Sequence, residues 1–271
     1  GRVLFSSSNP TKYPQLTVNR EAACAACHPD GGTDGSVWAT MEGERRTMGL
    51  WGGVAGRGWL HQSATHQNAD EFVRTIVAER LGGKMTSSED FAALADYLAH
   101  GIAKLQPPRV DAALAERGRQ LFQANCTSCH AGDHYTSGRA SGSDPLGGGD
   151  NAGPGLYDVG TTTDNAHAVL GSLFTAMLPP TAKQAFDLTR GDRRLGMGDP
   201  LQLQLSFRQR PDRARGQVKA PSLINVRDNV LFFHNGQFDQ LADAVHYMNS
   251  QLKAGLSADD EKAIVEFLNT L

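Results

Sequence analysis

Two stretches of the chain show apolar residues at helical spacing behind a capping signal. Thr86 and Glu89 form a capping-box pattern ahead of the first stretch, and Ser257 with Asp260 forms one ahead of the second. The apolar positions that follow are Phe91, Leu94, Ala95 and Leu98 in the first stretch, and Ile264, Phe267, Leu268 and Leu271 in the second. Spacings of three and four residues place each set on one face of a helix. The pattern predicts two amphipathic helices, one closing each half of the chain.

Helical periodicity also covers residues 68–81 and 239–250, and Asp111 is placed to cap a further helix. Strand signals, which would be alternating apolar and polar residues bounded by turn sequences, are scarce. The fold class is therefore predicted to be all-α.

The two halves of the chain share a sequence repeat. The pattern Gly-Arg-x-Leu-Phe occurs at residues 1–5 and again at residues 118–122. Leu50 and His61 recur at one common offset as Leu223 and His234, within similar surroundings. A repeat of this length indicates that one helical unit has been duplicated.

The repeat and the turn-forming residues together suggest where the domains lie. Gln106-Pro107-Pro108 interrupts the first closing helix, because proline cannot continue it, and marks a boundary. We expect one domain at residues 1–106 and a second at residues 107–271. The second half is longer, and the difference falls at about residues 138–216, which we expect to be an inserted loop region.

Composition narrows the function. The 26 basic and 29 acidic residues give a net charge of -3 and form no basic block, which argues against a nucleic-acid partner. No apolar run is long enough to cross a bilayer, so we expect no membrane span. Only 7% of the 271 residues are aromatic. A large apolar cofactor would add buried surface to such a core.

All four cysteines occur in two copies of Cys-x-x-Cys-His. The residues are Cys24, Cys27 and His28 in the first copy, and Cys126, Cys129 and His130 in the second. This is the c-type haem attachment pattern, in which two thiols form thioethers and the histidine is the proximal iron ligand. A structural zinc site, a disulfide pair and a thioredoxin-like motif are the alternatives. They fit less well, because the copies lie far apart in the chain, each cysteine pair precedes a histidine and neither copy has flanking strands.

The motifs predict two covalently bound haem c groups and a pair of cytochrome c-like haem domains related by a pseudo-twofold duplication. Bacterial haem attachment takes place after export, so we expect a periplasmic or extracellular location.

The chain resembles a known protein family over nearly its whole length, and two segments of the second half are the most specific part of that resemblance. They are Lys219-Ala220-Pro221-Ser222-Leu223-Ile224-Asn225-Val226 and Phe233-His234-Asn235-Gly236. They resemble two motifs of the bacterial di-haem cytochrome c peroxidase family, which includes the MauG-type enzymes. In that family the second haem takes a methionine at a fixed distance after the histidine of the second motif, and here that position holds Met248. On periodicity alone Met248 is better explained as a core residue, because Leu241, Val245 and Met248 lie on one helix face. The resemblance favours an iron ligand.

The first haem is expected to differ from the second. The matching positions, Thr75 and Ile76, offer no ligand, so its iron would be five-coordinate or capped from elsewhere. The family's tryptophan between the haems is replaced by Gln62. The candidates for roles at this haem are His61, Met85 and Met48 as sixth ligand and Glu79 as acid–base group, and each also has an ordinary reading as a loop, core or surface residue.

The resemblance implies a haem peroxidase-like oxidoreductase. Electrons would enter at the second haem from a small cytochrome or copper protein, and the first haem would react with hydrogen peroxide or dioxygen. It also implies calcium between the domains and a homodimer. The alternative is a non-catalytic di-haem electron-transfer module of a larger extracytoplasmic protein.

Overall fold

The computed structural model describes residues 1–9, 11–40, 43–136, 155–161 and 217–271. The predicted insertion at 138–216 therefore lies outside the described residues, except for 155–161. Helices are the main regular structure of the described part, as predicted. Its helices are α1 (Arg2–Ser6), α2 (Ala69–Arg74), α3 (Ser88–Asp96), α4 (Ala112–Asn125), α5 (Leu241–Leu252) and α6 (Ala258–Leu268).

Shorter elements complete the described part. Helices α2 and α3 each continue into a π-helical segment, Thr75–Arg80 and Tyr97–Gly101 respectively. Single 3₁₀ turns lie at Cys24–Ala26, Pro29–Gly31 and Val226–Asp228. Two antiparallel pairs of short strands are also present, β1 (Val37–Thr40) with β2 (Gly43–Arg46) and β3 (Leu156–Asp158) with β4 (Gln217–Lys219).

The helix starts follow from their capping residues. Asp111 accepts hydrogen bonds from two backbone N–H groups of α4, and Ser257 with Asp260 forms the predicted capping box of α6. At α3 the predicted cap, Thr86, is wrong by one residue. Ser87 accepts the bond from the backbone N–H of Asp90 because the helix begins at Ser88.

The apolar side chains form two clusters, one in each half. The first gathers residues of α1, α2 and α3, and the second gathers residues of α4, α5 and α6. Large buried side chains include Phe5, Leu16, Phe91 and Leu94 in the first cluster and Phe122, Phe232, Ile264, Phe267 and Leu268 in the second.

A close helix crossing occurs once in each half. A Cβ atom placed on Gly1 would lie 2.1 Å from the carbonyl oxygen of Ala93 in α3, and one on Gly118 would lie 1.8 Å from that of Ala263 in α6. The phenylalanine that ends each Gly-Arg-x-Leu-Phe motif contacts an aromatic ring of the closing helical stretch, with centroids 5.3 Å apart in both halves. The glycine is thus required because the two backbones touch.

The halves also exchange backbone hydrogen bonds. Arg46, the last residue of β2, donates its N–H to the carbonyl of His234 at 2.7 Å. Lys219, the last residue of β4, donates its N–H to the carbonyl of Gln62 at 2.8 Å. Each half therefore supplies one strand end and one loop to the contact.

Asn225 makes a further contact between the halves. It is fully buried, and its side chain bonds both the N–H and the carbonyl of Leu105, at 3.2 Å each.

No helix of the described residues is long and apolar enough to cross a membrane.

Candidate haem-binding sites

Each Cys-x-x-Cys-His motif, at residues 24–28 and 126–130, folds into a single tight turn. In both motifs the N–H groups of the second cysteine and the histidine donate to the carbonyl of the first cysteine, at 3.2 and 2.9 Å. The two motifs thus share one backbone bonding pattern. It brings both thiols and the imidazole of a motif into one turn, as thioether attachment with iron binding requires.

The two motif histidines are held in the same way. Nδ1 of His28 donates to the carbonyl of Gly32 at 3.1 Å, and Nδ1 of His130 donates to the carbonyl of Tyr135 at 2.9 Å. This bond fixes the tautomer and assigns Nε2 to the iron. Burial lowers the pKa of both histidines, which favours the neutral form that binds a metal. Each motif therefore presents the two thiols and the neutral imidazole that haem attachment requires.

The thiols lie in apolar surroundings. Burial raises the pKa of Cys24 to about 12 and that of Cys126 to about 11, and none of the four cysteines forms a disulfide. An uncharged thioether suits such a site better than a thiolate does. Among the described residues no group of three or more His, Cys, Asp or Glu side chains could hold a metal ion, so calcium receives no support.

A cavity of about 200 Å³ adjoins the second motif. Its wall is mostly apolar, as a porphyrin face requires. Residues of α5 and α6 contribute to that wall, among them Leu241, Val245, Ile264 and Leu268. Met248, also on α5, lines the same cavity as His130 and is only partly buried. The structure therefore places Met248 with the second motif, although its binding to iron stays a prediction.

Met48 lines this cavity as well. It also lines a smaller one of about 70 Å³, together with Leu50, Trp51 and His61. No residue of the first motif lines the smaller cavity, but Val54 and Leu60 do, and they belong to the apolar cluster on which Cys24 packs. Met48 and His61 are thus together in one cavity, and His61 stays a candidate ligand of the first haem.

The other candidates of the first half lie elsewhere. Met85 is 5% exposed, belongs to the apolar cluster and lines neither cavity. Glu79 lies in the π-helical segment, and its side chain is outside the described part of the structure. Thr75 is buried at the start of that segment. The roles of Met85 and Glu79 therefore stay predictions.

The repeated loops show that the predicted equivalence of His61 and His234 is wrong by one residue. Leu60 pairs with His66, and Phe232 pairs with Phe238, in matching isolated bridges. The residue after the first bridge partner has a left-handed φ in both loops, 70° at His61 and 60° at Phe233. The offset between the halves is therefore shorter by one here than at Leu50, because the loop between Leu50 and Leu60 is one residue longer than its counterpart. Gln62, not His61, takes the place of His234.

Basic side chains lie between the two cavities. Arg46, Gln62 and Lys219 line both cavities, whereas Arg57 lines the smaller one. Burial lowers the pKa of Arg46 and of Arg57 to about 10 each. Burial, and then repulsion by Arg57, lowers the pKa of Lys219 to about 7. Arg46 and Lys219 keep some accessible surface because they line the cavities.

Comparison with known proteins establishes the fold. No protein-family model matches the chain, and no curated protein matches it. Among solved structures, a MauG-like protein associated with microbial copper homeostasis is similar over 100% of this chain and 86% of its own, with 16% identity and a TM-score of 0.61. Hydrazine synthase of Kuenenia stuttgartiensis is similar over 100% of this chain and 85% of its own, with 18% identity and a TM-score of 0.56. The chain has the fold of these proteins, and the resemblance to MauG is confirmed at that level.

Sequence reasoning assigned no role to Arg46, Arg57 or Lys219. One signal was present, since Arg46 and Lys219 are both basic and are separated by the same offset as Leu50 and Leu223. Arg57 has no basic counterpart at that offset. Only its place beside the smaller cavity identifies it.

Proposed function

We propose that this chain is a di-haem c-type cytochrome of the peroxidase or MauG type. One observation carries the proposal: two Cys-x-x-Cys-His turns share one backbone bonding pattern, but among the described residues only the second motif lines a cavity with a methionine of a long helix, Met248 of α5. In the register that pairs Gln62 with His234, the counterpart of Met248 in the first half is Ile76, which cannot bind iron. The two sites are therefore built for different tasks.

The residues divide the work as follows. Each pair of cysteines holds its haem covalently, and His28 and His130 present Nε2 to the iron. Met248 closes the second iron, and a thioether ligand raises the reduction potential there. Each haem, when bound, supplies one-electron redox chemistry, and two together match the two electrons that reduce hydrogen peroxide to water. Glu79 is the proposed acid–base group, and His61 the proposed residue over the first haem.

We further propose that the chain is a duplication of one cytochrome c-like unit, with domains at 1–106 and 107–271. The paired glycine crossings, the paired loop bridges and the exchange of backbone bonds between the halves support it. The proposed setting is periplasmic or extracellular. The proposed partners are a small cytochrome or copper protein as electron donor, peroxide or dioxygen as substrate, and a second copy of the chain.

Absorption spectroscopy of the oxidised protein tests the proposal. We expect one low-spin haem with a sulfur-to-iron charge-transfer band and one high-spin haem that binds cyanide and reacts with peroxide. A variant with Cys24→Ala and Cys27→Ala should lose the cyanide and peroxide responses but keep the band. Two low-spin haems that ignore both reagents would leave the electron-transfer module as the function.

A further inference from the structure

Three cationic side chains are joined into one cluster between the cavities. Lys219 donates from Nζ to the carbonyl of Arg57 at 2.7 Å, and its backbone N–H donates to Gln62 at 2.8 Å. Gln62 in turn donates from Nε2 to the carbonyl of Arg46 at 2.8 Å. We call Arg46, Arg57 and Lys219 the cation cluster. Its members are fixed against one another by the backbone.

Every hydrogen bond of the cation cluster goes to a neutral group. Arg46 donates to the carbonyls of Phe233 and Thr47 and to the side-chain oxygen of Asn229. Arg57 donates to the carbonyls of Gly49 and Trp51. None of the three forms an ion pair with a carboxylate of the described residues. Like charges gathered away from water are unfavourable unless an anion lies among them.

One N–H donor of the cation cluster is unused, and its position indicates where an anion would bind. Nε of Arg57 is buried and has no partner among the described residues, and the residue as a whole is 8% exposed. This residue lines the smaller cavity. The cluster thus offers positive charge to both cavities and an unsatisfied N–H donor at one of them.

We propose that the cation cluster binds the propionate groups of the haems, with Arg46 and Lys219 serving both haems and Arg57 serving the first. The inference rests on the proposed function, because the carboxylates belong to the cofactor. A porphyrin tethered at Cys126 and Cys129 would fill the apolar cavity and bring its carboxylates to the basic side chains of the wall. Guanidinium and ammonium groups are the usual partners of such carboxylates.

The cluster then sets the reduction potentials. Oxidation adds a positive charge at the iron, and a nearby cation opposes that charge. Each member of the cluster therefore raises the potential of any haem it faces. Because Lys219 lines both cavities and Arg57 only the smaller one, the two residues differ in how many haems they affect.

Potentiometric titration of the holoprotein tests this assignment. Lys219→Met should lower the midpoint potentials of both haems, whereas Arg57→Gln should lower only that of the haem without the methionine band. Arg57→Lys keeps the charge and should restore most of the lost potential. Arg117→Gln is the matched control, because Arg117 is an exposed arginine paired with Asp260 at 2.6 Å, and it should change neither potential.

Haem content separates the possible failures. Unchanged potentials in Lys219→Met and Arg57→Gln, with two haems per chain, would overturn the assignment and leave the proposed function intact. A shift that depends on added phosphate would also overturn it, since a diffusible anion would then be the partner. Fewer than two haems in the unmodified protein would contradict the proposed function itself.

Infrared difference spectra of the unmodified protein give a measurement that needs no charge-removing variant. Reduction of the haems should perturb ionised carboxylate bands, and Arg57→Lys should shift them. Carboxylate bands that do not respond to haem reduction would argue against propionates at the cluster.

Discussion

At the scale of single residues, a backbone carbonyl decides what each motif histidine can do. The bonds from Nδ1 to Gly32 and to Tyr135 fix both imidazoles with Nε2 left for the iron. Single residues also distinguish the two halves, because Met248 lines the cavity at the second motif and Ile76 occupies the corresponding position in the first half. A sulfur ligand at one iron only would make the two proposed haems unequal.

Met248→Ala should abolish the sulfur-to-iron charge-transfer band and lower the potential of one of the two haems, because the iron loses its thioether ligand. Near-infrared absorption and potentiometric titration measure the two effects. Met48→Leu is the matched control, since Met48 lines the same cavity and is not the expected ligand. A band that survives Met248→Ala but disappears in Met48→Leu would transfer the role to Met48.

At the scale of elements, contact between backbones fixes how the helices pack. Helix α4 lies against α6 so closely at Gly118 that the carbonyl of Ala263 occupies the space of a Cβ atom. The first half repeats this contact at Gly1. Such a crossing admits no side chain, whatever its helix propensity, because the obstruction is a backbone atom.

Gly118→Ala should lower the free energy of unfolding by about 1–3 kcal/mol, because the added methyl group forces α4 away from α6. The gain in helix propensity, up to about 1 kcal/mol, is too small to offset this strain. Chemical denaturation measures the change. Gln123→Ala, at an exposed position of the same helix, should change stability by no more than about 0.5 kcal/mol. A stabilised Gly118→Ala variant would show that the crossing is looser than described.

The side chain of Asn225, in the second half, bonds the backbone of Leu105, next to the boundary between the halves. Asn225→Ala should lower the free energy of unfolding by about 2–4 kcal/mol, since both backbone groups of Leu105 lose their partner and alanine disfavours the φ of 55° found here. Equilibrium unfolding in urea gives the value. Gln240→Ala is the control, because its exposed side chain makes no capping bond, and it should leave stability nearly unchanged.

At the scale of the whole molecule, two loops and two strand ends meet between the two cavities. The exchange of backbone bonds by Arg46 and Lys219 brings Gln62 and His234 to equivalent places. Because the side chains of Arg46 and Lys219 line both cavities, each cavity has the same two basic groups in its wall. The two cavities are thus adjacent through a polar, positively charged region.

Denatured protein should retain two haems per chain, because thioethers hold each one independently of the iron ligand. Intact-mass spectrometry with the pyridine haemochrome assay measures the number. A Cys126→Ala, Cys129→Ala variant should retain one haem and lose the band assigned to Met248. Haem that extracts into acidified organic solvent from the unmodified protein would contradict covalent attachment.

The sequence by itself determined the local features, namely the two Cys-x-x-Cys-His motifs, the closing helices, one of their two caps and the resemblance to the MauG type. These depend on residues that are near one another in the chain, where spacing and capping chemistry are sufficient. It missed the cap at Ser87 by one residue because Thr86 and Ser87 are both good caps, each followed three residues later by an acidic side chain.

Only the tertiary structure decided the rest. A one-residue difference in loop length makes Gln62, not His61, the counterpart of His234, and backbone pairing alone reveals it. The cation cluster likewise joins residues from opposite halves of the chain, whose chemistry depends on burial and on the cavities they share. Burial and long-range contact are properties of the folded chain, so no local pattern encodes them.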